Sequence, residues 1–122
     1  MNAQTERLTL TGLAGAVEAL RDAPAADAPP RGVAIIAHPH PLFGGTMDNK
    51  VVQTLARAFV ATGWTAVRFN FRGVGGTAGT HDEGRGEAED YLRVVEQAAG
   101  SGPIAVAGFS FGAFVAINAL QT

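Results

Sequence analysis

Residues 104–113 read Ile104-Ala105-Val106-Ala107-Gly108-Phe109-Ser110-Phe111-Gly112-Ala113, and this stretch decides the fold. Its first four residues form a short, wholly apolar run of the kind buried on both faces of a parallel sheet. Gly108 to Gly112 follow as a tight G-x-S-x-G turn, and Ala113 to Gln121 continue as an apolar helix. Strand, sharp turn and helix in that order are the setting in which this string positions a reactive serine. The reason is steric. A turn this sharp forces Ser110 into a strained backbone conformation. A side chain at 108 or 112 would strike neighbouring backbone, so glycine stands at both positions. The hydroxyl would then stand above the carboxyl end of the sheet, with the positive end of the following helix beside it. The Phe111 N–H becomes an expected oxyanion donor.

Working outward, the same strand–helix alternation recurs. Val33-Ala34-Ile35-Ile36-Ala37 is another buried-type strand. From about Asn49 to Thr62, apolar residues at 51, 52, 55, 56, 59 and 60 give a one-faced helix, and Gly63 stops it. Residues 64–71 read as a strand and 87–99 as a helix ended by Gly100, Gly102 and Pro103. Upstream, 7–11 and 16–21 separated by Gly12 and Gly15 predict a hairpin. Residues 22–31 form a Pro/Ala-rich loop, where three prolines forbid a helix or central strand. The fold class is α/β, with a mostly parallel central sheet, an N-terminal antiparallel hairpin and flanking helices. Residues 1–122 form a single domain.

Composition excludes several functions. With 47% hydrophobic and 16% charged residues, the chain can bury a core. Nine Lys and Arg against eleven Asp and Glu leave no basic stripe for nucleic acid. The absence of cysteine excludes disulfides, thiolate zinc sites and a cysteine nucleophile. No basic start followed by a long apolar run marks a signal peptide, and no run suits a membrane span. The expected setting is cytoplasmic, without membrane or nucleic-acid partners.

The loop His38-Pro39-His40-Pro41-Leu42-Phe43-Gly44-Gly45 follows the first central strand, where a second oxyanion donor belongs. Pro39 and Pro41 carry no N–H, so the backbone of His40 or Leu42 is the expected donor, with His40 favoured. Two histidines one residue apart can chelate a metal, but no further ligand cluster completes a site, and none is expected. The alternative reading is that they shape the loop. Gly73 to Gly79 superficially resemble a dinucleotide fingerprint. They do not run straight into a helix, and Asp82 and Glu83 follow where a pyrophosphate needs positive potential. His81 and Asp82 read as loop hydrogen-bonders at a helix start.

Together, His-Pro-His-Pro-x-x-Gly-Gly-x-Met-x-Asn-Lys-Val-Val at 38–52, Phe-Asn-Phe-Arg-Gly-Val-Gly at 69–75 and Gly-Phe-Ser-Phe-Gly-Ala at 108–113 resemble the α/β-hydrolase superfamily. The closest likeness is to small bacterial predicted hydrolases, related to serine aminopeptidase-like, dienelactone-hydrolase-like and prolyl-dipeptidyl-peptidase-like domains. The resemblance implies a Ser110 nucleophile, attack on an ester-like, thioester-like or amide-like carbonyl, an acyl-enzyme and no cofactor.

In that superfamily the acid and then the histidine follow the serine. After Ser110 this sequence contains no His, Asp or Glu. The match is therefore to the N-terminal part of the fold, and the chain alone is expected to turn over little or nothing. A truncated product, an inactive remnant and a half-domain completed by another chain are the open explanations. The strand at 104–107 would then be an apolar sheet edge, which predicts self-association. A non-catalytic assembly module of the same fold and a nucleotide-binding domain using Gly73–Gly79 are the rival functions.

Overall fold

The computed structural model describes residues 5–25 and 29–121. Residues 26–28 of the Pro/Ala-rich loop lie outside the described residues. Strands β1 (Glu6–Thr11) and β2 (Ala16–Asp22) form the hairpin, closed by a Gly12 N–H to Gly15 carbonyl bond of 2.8 Å. Then come β3 (Val33–Ala37), α1 (Lys50–Ala61), β4 (Thr65–Phe69), α2 (Arg85–Ala98), β5 (Ile104–Gly108) and α3 (Phe111–Leu120). The loop after β3 contains a single 3-10 turn at Pro41–Phe43 that the loop reading had not anticipated. Pro41 opens it because a proline loses nothing at the first helical position.

The strands form one sheet in the order β1-β2-β4-β3-β5. β3 pairs in parallel with β4 and with β5, while the hairpin adds two antiparallel pairings at the other side. Parallel pairing sends the carboxyl ends of β3, β4 and β5 to one edge. The loops that leave Ala37, Phe69 and Gly108 therefore gather there.

Each helix covers the face its sequence dictates. α1 begins where the Asn49 side chain accepts the N–H groups of Val51 (2.9 Å) and Val52 (3.3 Å). It packs Val52 and Ala56 on Ile36 and Ala66. On the opposite face, Tyr91 and Val94 of α2 and Val115, Ala116 and Ala119 of α3 cover Ile35, Val67 and Phe69. Tyr91 carries its hydroxyl into this core and donates it to the Ile35 carbonyl at 2.6 Å, so the buried O–H is satisfied. α3 starts two residues earlier than its periodicity suggested, because the turn before it has no spacer. β5 lies at one end of the described sheet. Among the described residues no helix is long and apolar enough to cross a membrane.

Candidate active site

At the tip between β5 and α3, Ser110 has φ 59° and ψ −117°. A non-glycine residue there is outside even the left-handed helical well, a region almost reserved for glycine. The surroundings enforce it. The Phe109 N–H donates to the Ala37 carbonyl at 3.2 Å, and the Gly112 N–H to the Phe109 carbonyl at 3.0 Å. A Cβ on Gly108 would lie 2.5 Å from the Ala113 nitrogen. A Cβ on Gly112 would lie 2.3 Å from the Ala37 carbonyl oxygen and 2.6 Å from that of His38. Both turn glycines are thus required by contact, and Gly112 lets α3 sit on the end of β3. Ser110 itself is exposed and caps the helix through its backbone. Phe111 is the first helical residue, so its N–H has no carbonyl one turn back to bond.

The loop 38–47 lies against this turn. The His40 ring is 4.6 Å from the Phe111 ring, centroid to centroid. The two predicted backbone donors differ in their engagement. Leu42 gives its N–H to His40 Nδ1 at 3.2 Å, whereas the His40 carbonyl, not its N–H, anchors Phe43 and Gly45. The Leu42 N–H is thus engaged within the loop. Gly45 closes the loop so tightly that a Cβ there would be 2.0 Å from the Pro39 carbonyl.

His38 is wholly buried. Its Nε2 accepts the Phe71 N–H at 3.0 Å, and its Nδ1 sits 2.7 Å from the Pro39 carbonyl. An acceptor on one side and a carbonyl on the other fix the tautomer with the proton on Nδ1. Burial holds this imidazole far below the ordinary histidine value, at about 4, against the opposing Pro39 bond. The ring is a neutral strut between β3 and β4.

The sign of its pH effect follows. The folded value of about 4 lies below the unfolded 6.5, so the unfolded chain takes up a proton first as pH falls. His38 stabilises fully above 6.5 and loses about 3 kcal/mol between 6.5 and 4. Urea midpoints measured from pH 7.5 to 4.5 should fall more steeply for the wild type than for His38→Gln. Equal slopes would contradict the assignment.

His81 lies beside the same cluster, its ring 5.5 Å from Phe111 and 5.0 Å from His40. Its Nδ1 is 3.2 Å from Glu87 Oε2. The buried Glu87 carboxylate accepts the N–H groups of Asp82 (2.8 Å) and Gly84 (3.0 Å) at the start of α2. A cleft of about 280 Å³ opens between the two loops, bounded by Leu42, Arg72, Val74 and His81. The glycine loop is filled from within. The Gly76 N–H donates to Glu18 Oε1 at 2.8 Å, so a carboxylate sits where a phosphate would have to, and α2 starts only at Arg85. Among the described residues no group of three or more His, Cys, Asp or Glu side chains could hold a metal.

The model of the X-Pro dipeptidyl-peptidase (S15) family matches residues 17–122. The chain belongs to that family. Among relatives of this S15 member, an uncharacterised Rickettsia prowazekii protein, RP471, is 42% identical over 97 residues, 76% of this chain and 41% of the relative. A Xanthomonas campestris protein described as an α/β serine hydrolase without a lid superposes with a TM-score of 0.89 at 41% identity. It is matched over 99% of this chain and 57% of its own. An α/β serine hydrolase homologue from Coxiella burnetii gives a TM-score of 0.86 at 45% identity, over 97% of this chain and 57% of its own. The fold is that of the α/β hydrolases, and this S15 chain spans little more than half the length of those two structures.

Proposed function

We propose that the chain carries the nucleophile and oxyanion donors of a serine hydrolase that cleaves an ester-like or amide-like bond. The observation that carries this reading is Ser110 at φ 59° and ψ −117°, exposed at the carboxyl edge of a parallel sheet, where strand turns directly into helix. In the reaction, Ser110 Oγ attacks the substrate carbonyl while a base takes its proton. The N–H groups of Phe111 and His40 hold the oxyanion of the tetrahedral intermediate. The base returns the proton to the leaving group, and water releases the acyl group from Ser110 by the same steps in reverse.

The base is not His38, whose Nε2 is engaged by Phe71 and whose Nδ1 holds its proton against Pro39. No His, Asp or Glu follows Ser110 in the sequence, so the polypeptide of residues 1–122 is expected to hydrolyse simple aryl esters only at background rate. The S15 family description points to peptide bonds, and the Xanthomonas and Coxiella proteins to serine hydrolysis more broadly. The cleft bounded by Leu42 and His81, whose ring lies 5.5 Å from that of Phe111, offers a space for one side of such a substrate.

The test is a graft. The part of the Xanthomonas protein that lies beyond the match is joined after residue 122, and the product is exposed to a fluorophosphonate probe and an aryl ester. Adduct mapped to Ser110, with ester turnover, is the expected result. An adduct on another residue, or none on a folded graft, would overturn the reading.

A further inference from the structure

β4 runs between β2 and β3, where a strand is enclosed on both sides and apolar residues are the norm. Arg68 on this strand and Asn70 directly after it are nevertheless almost fully buried. Two residues apart, they share the face that carries Ala66 against α1. Buried polar groups are normally partnered; Arg68 Nε and Nη2 make no hydrogen bond, and the partners that Arg68 Nη1 and Asn70 do have are informative. Asn70 Oδ1 accepts the Met47 N–H at 2.9 Å. Arg68 Nη1 donates to the Met47 carbonyl at 2.9 Å and lies 3.4 Å from Asp48 Oδ1. One buried residue at the end of the 38–47 loop is thus gripped by both of its backbone groups, from β4 and the residue that follows it.

The grip extends further. Asn70 Nδ2 donates to Glu18 Oε1 at 2.9 Å, and the same oxygen accepts the Gly76 N–H. The Met47 N–H on Oδ1 and Glu18 on Nδ2 together fix which way the Asn70 amide faces. Arg68 Nη2 stands 3.7 Å from Asp22 Oδ2 on β2. The two loops beside Ser110 are therefore anchored to the central strands through one polar network.

We infer that Arg68 and Asn70 are positioning residues: by clamping Met47 they hold the 38–47 loop, and with it the His40 N–H, in register with the Ser110 turn. This rests on the hydrolase reading for its consequence, while the clamp itself is tested separately. Neither side chain touches the reacting atoms. They act through Met47.

Amide hydrogen exchange on the 122-residue chain tests the clamp directly. In Asn70→Leu, exchange at Gly45 and Met47 should speed up about tenfold, the loss of roughly one hydrogen bond, with Val67 and Val106 unchanged. Arg68→Lys keeps a cation for Asp22 and a donor for the Met47 carbonyl, so it should retain most of the loop's protection; Arg68→Met should not. Unchanged exchange in the loop overturns the inference. So does a rise shared equally by Val67 and Val106, which marks general loosening. In the grafted form, Asn70→Leu should lower the maximal rate of Ser110 phosphonylation about tenfold, with the probe's half-saturating concentration unchanged, since only the oxyanion geometry is disturbed. A loosened loop with an unchanged maximal rate also overturns it. If the unaltered graft is not phosphonylated, the hydrolase reading fails, and the exchange result alone decides the clamp.

Discussion

Ser110→Gly is expected to yield a more stable protein and, in the grafted form, one that no longer reacts with fluorophosphonates. The serine is held at φ 59° and ψ −117°, where a side chain is strained. Relief of such strain is worth about 1–3 kcal/mol. The added freedom of glycine in the unfolded chain returns about 0.4–1 kcal/mol of that. A net gain of about 1 kcal/mol should appear as a higher urea midpoint. In the grafted form, loss of the nucleophile should lower ester turnover by at least about a thousandfold. Gain of stability with loss of reaction is the signature of a site that stores strain for function. A destabilised Ser110→Gly protein would show that the backbone is not strained there, and retained labelling would show that Ser110 is not the nucleophile.

Gly112→Ala is expected to act in the opposite direction on stability. Its methyl would fall 2.3 Å from the Ala37 carbonyl oxygen and 2.6 Å from the His38 oxygen. Both are backbone atoms at the end of a central strand, so neither can swing away as a side chain would. Either α3 lifts from β3, or β3 shifts in its pairing with β5. Overpacking of this kind costs about 1–3 kcal/mol and can exceed that where backbone must move. A loss of about 3 kcal/mol in urea unfolding is expected, accompanied by loss of the Phe109 to Ala37 hydrogen bond, which exchange at Phe109 would report. Gly100→Ala makes a control for generic glycine effects, because a Cβ there meets no atom within 4 Å, though its φ of 64° carries its own backbone strain. Comparable losses at both positions would remove the steric argument for Gly112.

The main elements were legible because their signals are local. Val33–Ala37 and Ile104–Gly108 are short apolar runs, and α1 shows its period in the spacing of Val52, Leu55, Ala56 and Phe59. The Ser110 turn was legible because its glycines have a steric reason that the strand–helix context exposes. What escaped depends on partners distant in the chain. Arg68 and Asn70 fall within the 64–71 stretch that reads as a strand, and nothing local marks either as buried. Their burial is explained only by Met47, Asp22 and Glu18, which the fold brings in from other elements. His38 was read as a residue of the loop after β3, and its second partner, the Phe71 N–H, lies 33 residues away. α3 begins at Phe111 because the turn leads into it with no intervening residue, a boundary that periodicity alone cannot fix.

The seating of Gly112 on the carbonyl of Ala37 also bears on the order in which the molecule assembles. The conformation of Ser110 is set by a strand that is synthesised long before the serine and must already lie beside β5 to support it. Contacts so far apart in sequence close late, after local helices and the hairpin have formed. A collapsed intermediate with native helices but an unzipped β3–β5 pair would hold an ordinary, relaxed serine. The unusual backbone at position 110 therefore arises only with completion of the sheet, and it would disappear first if that pairing opened.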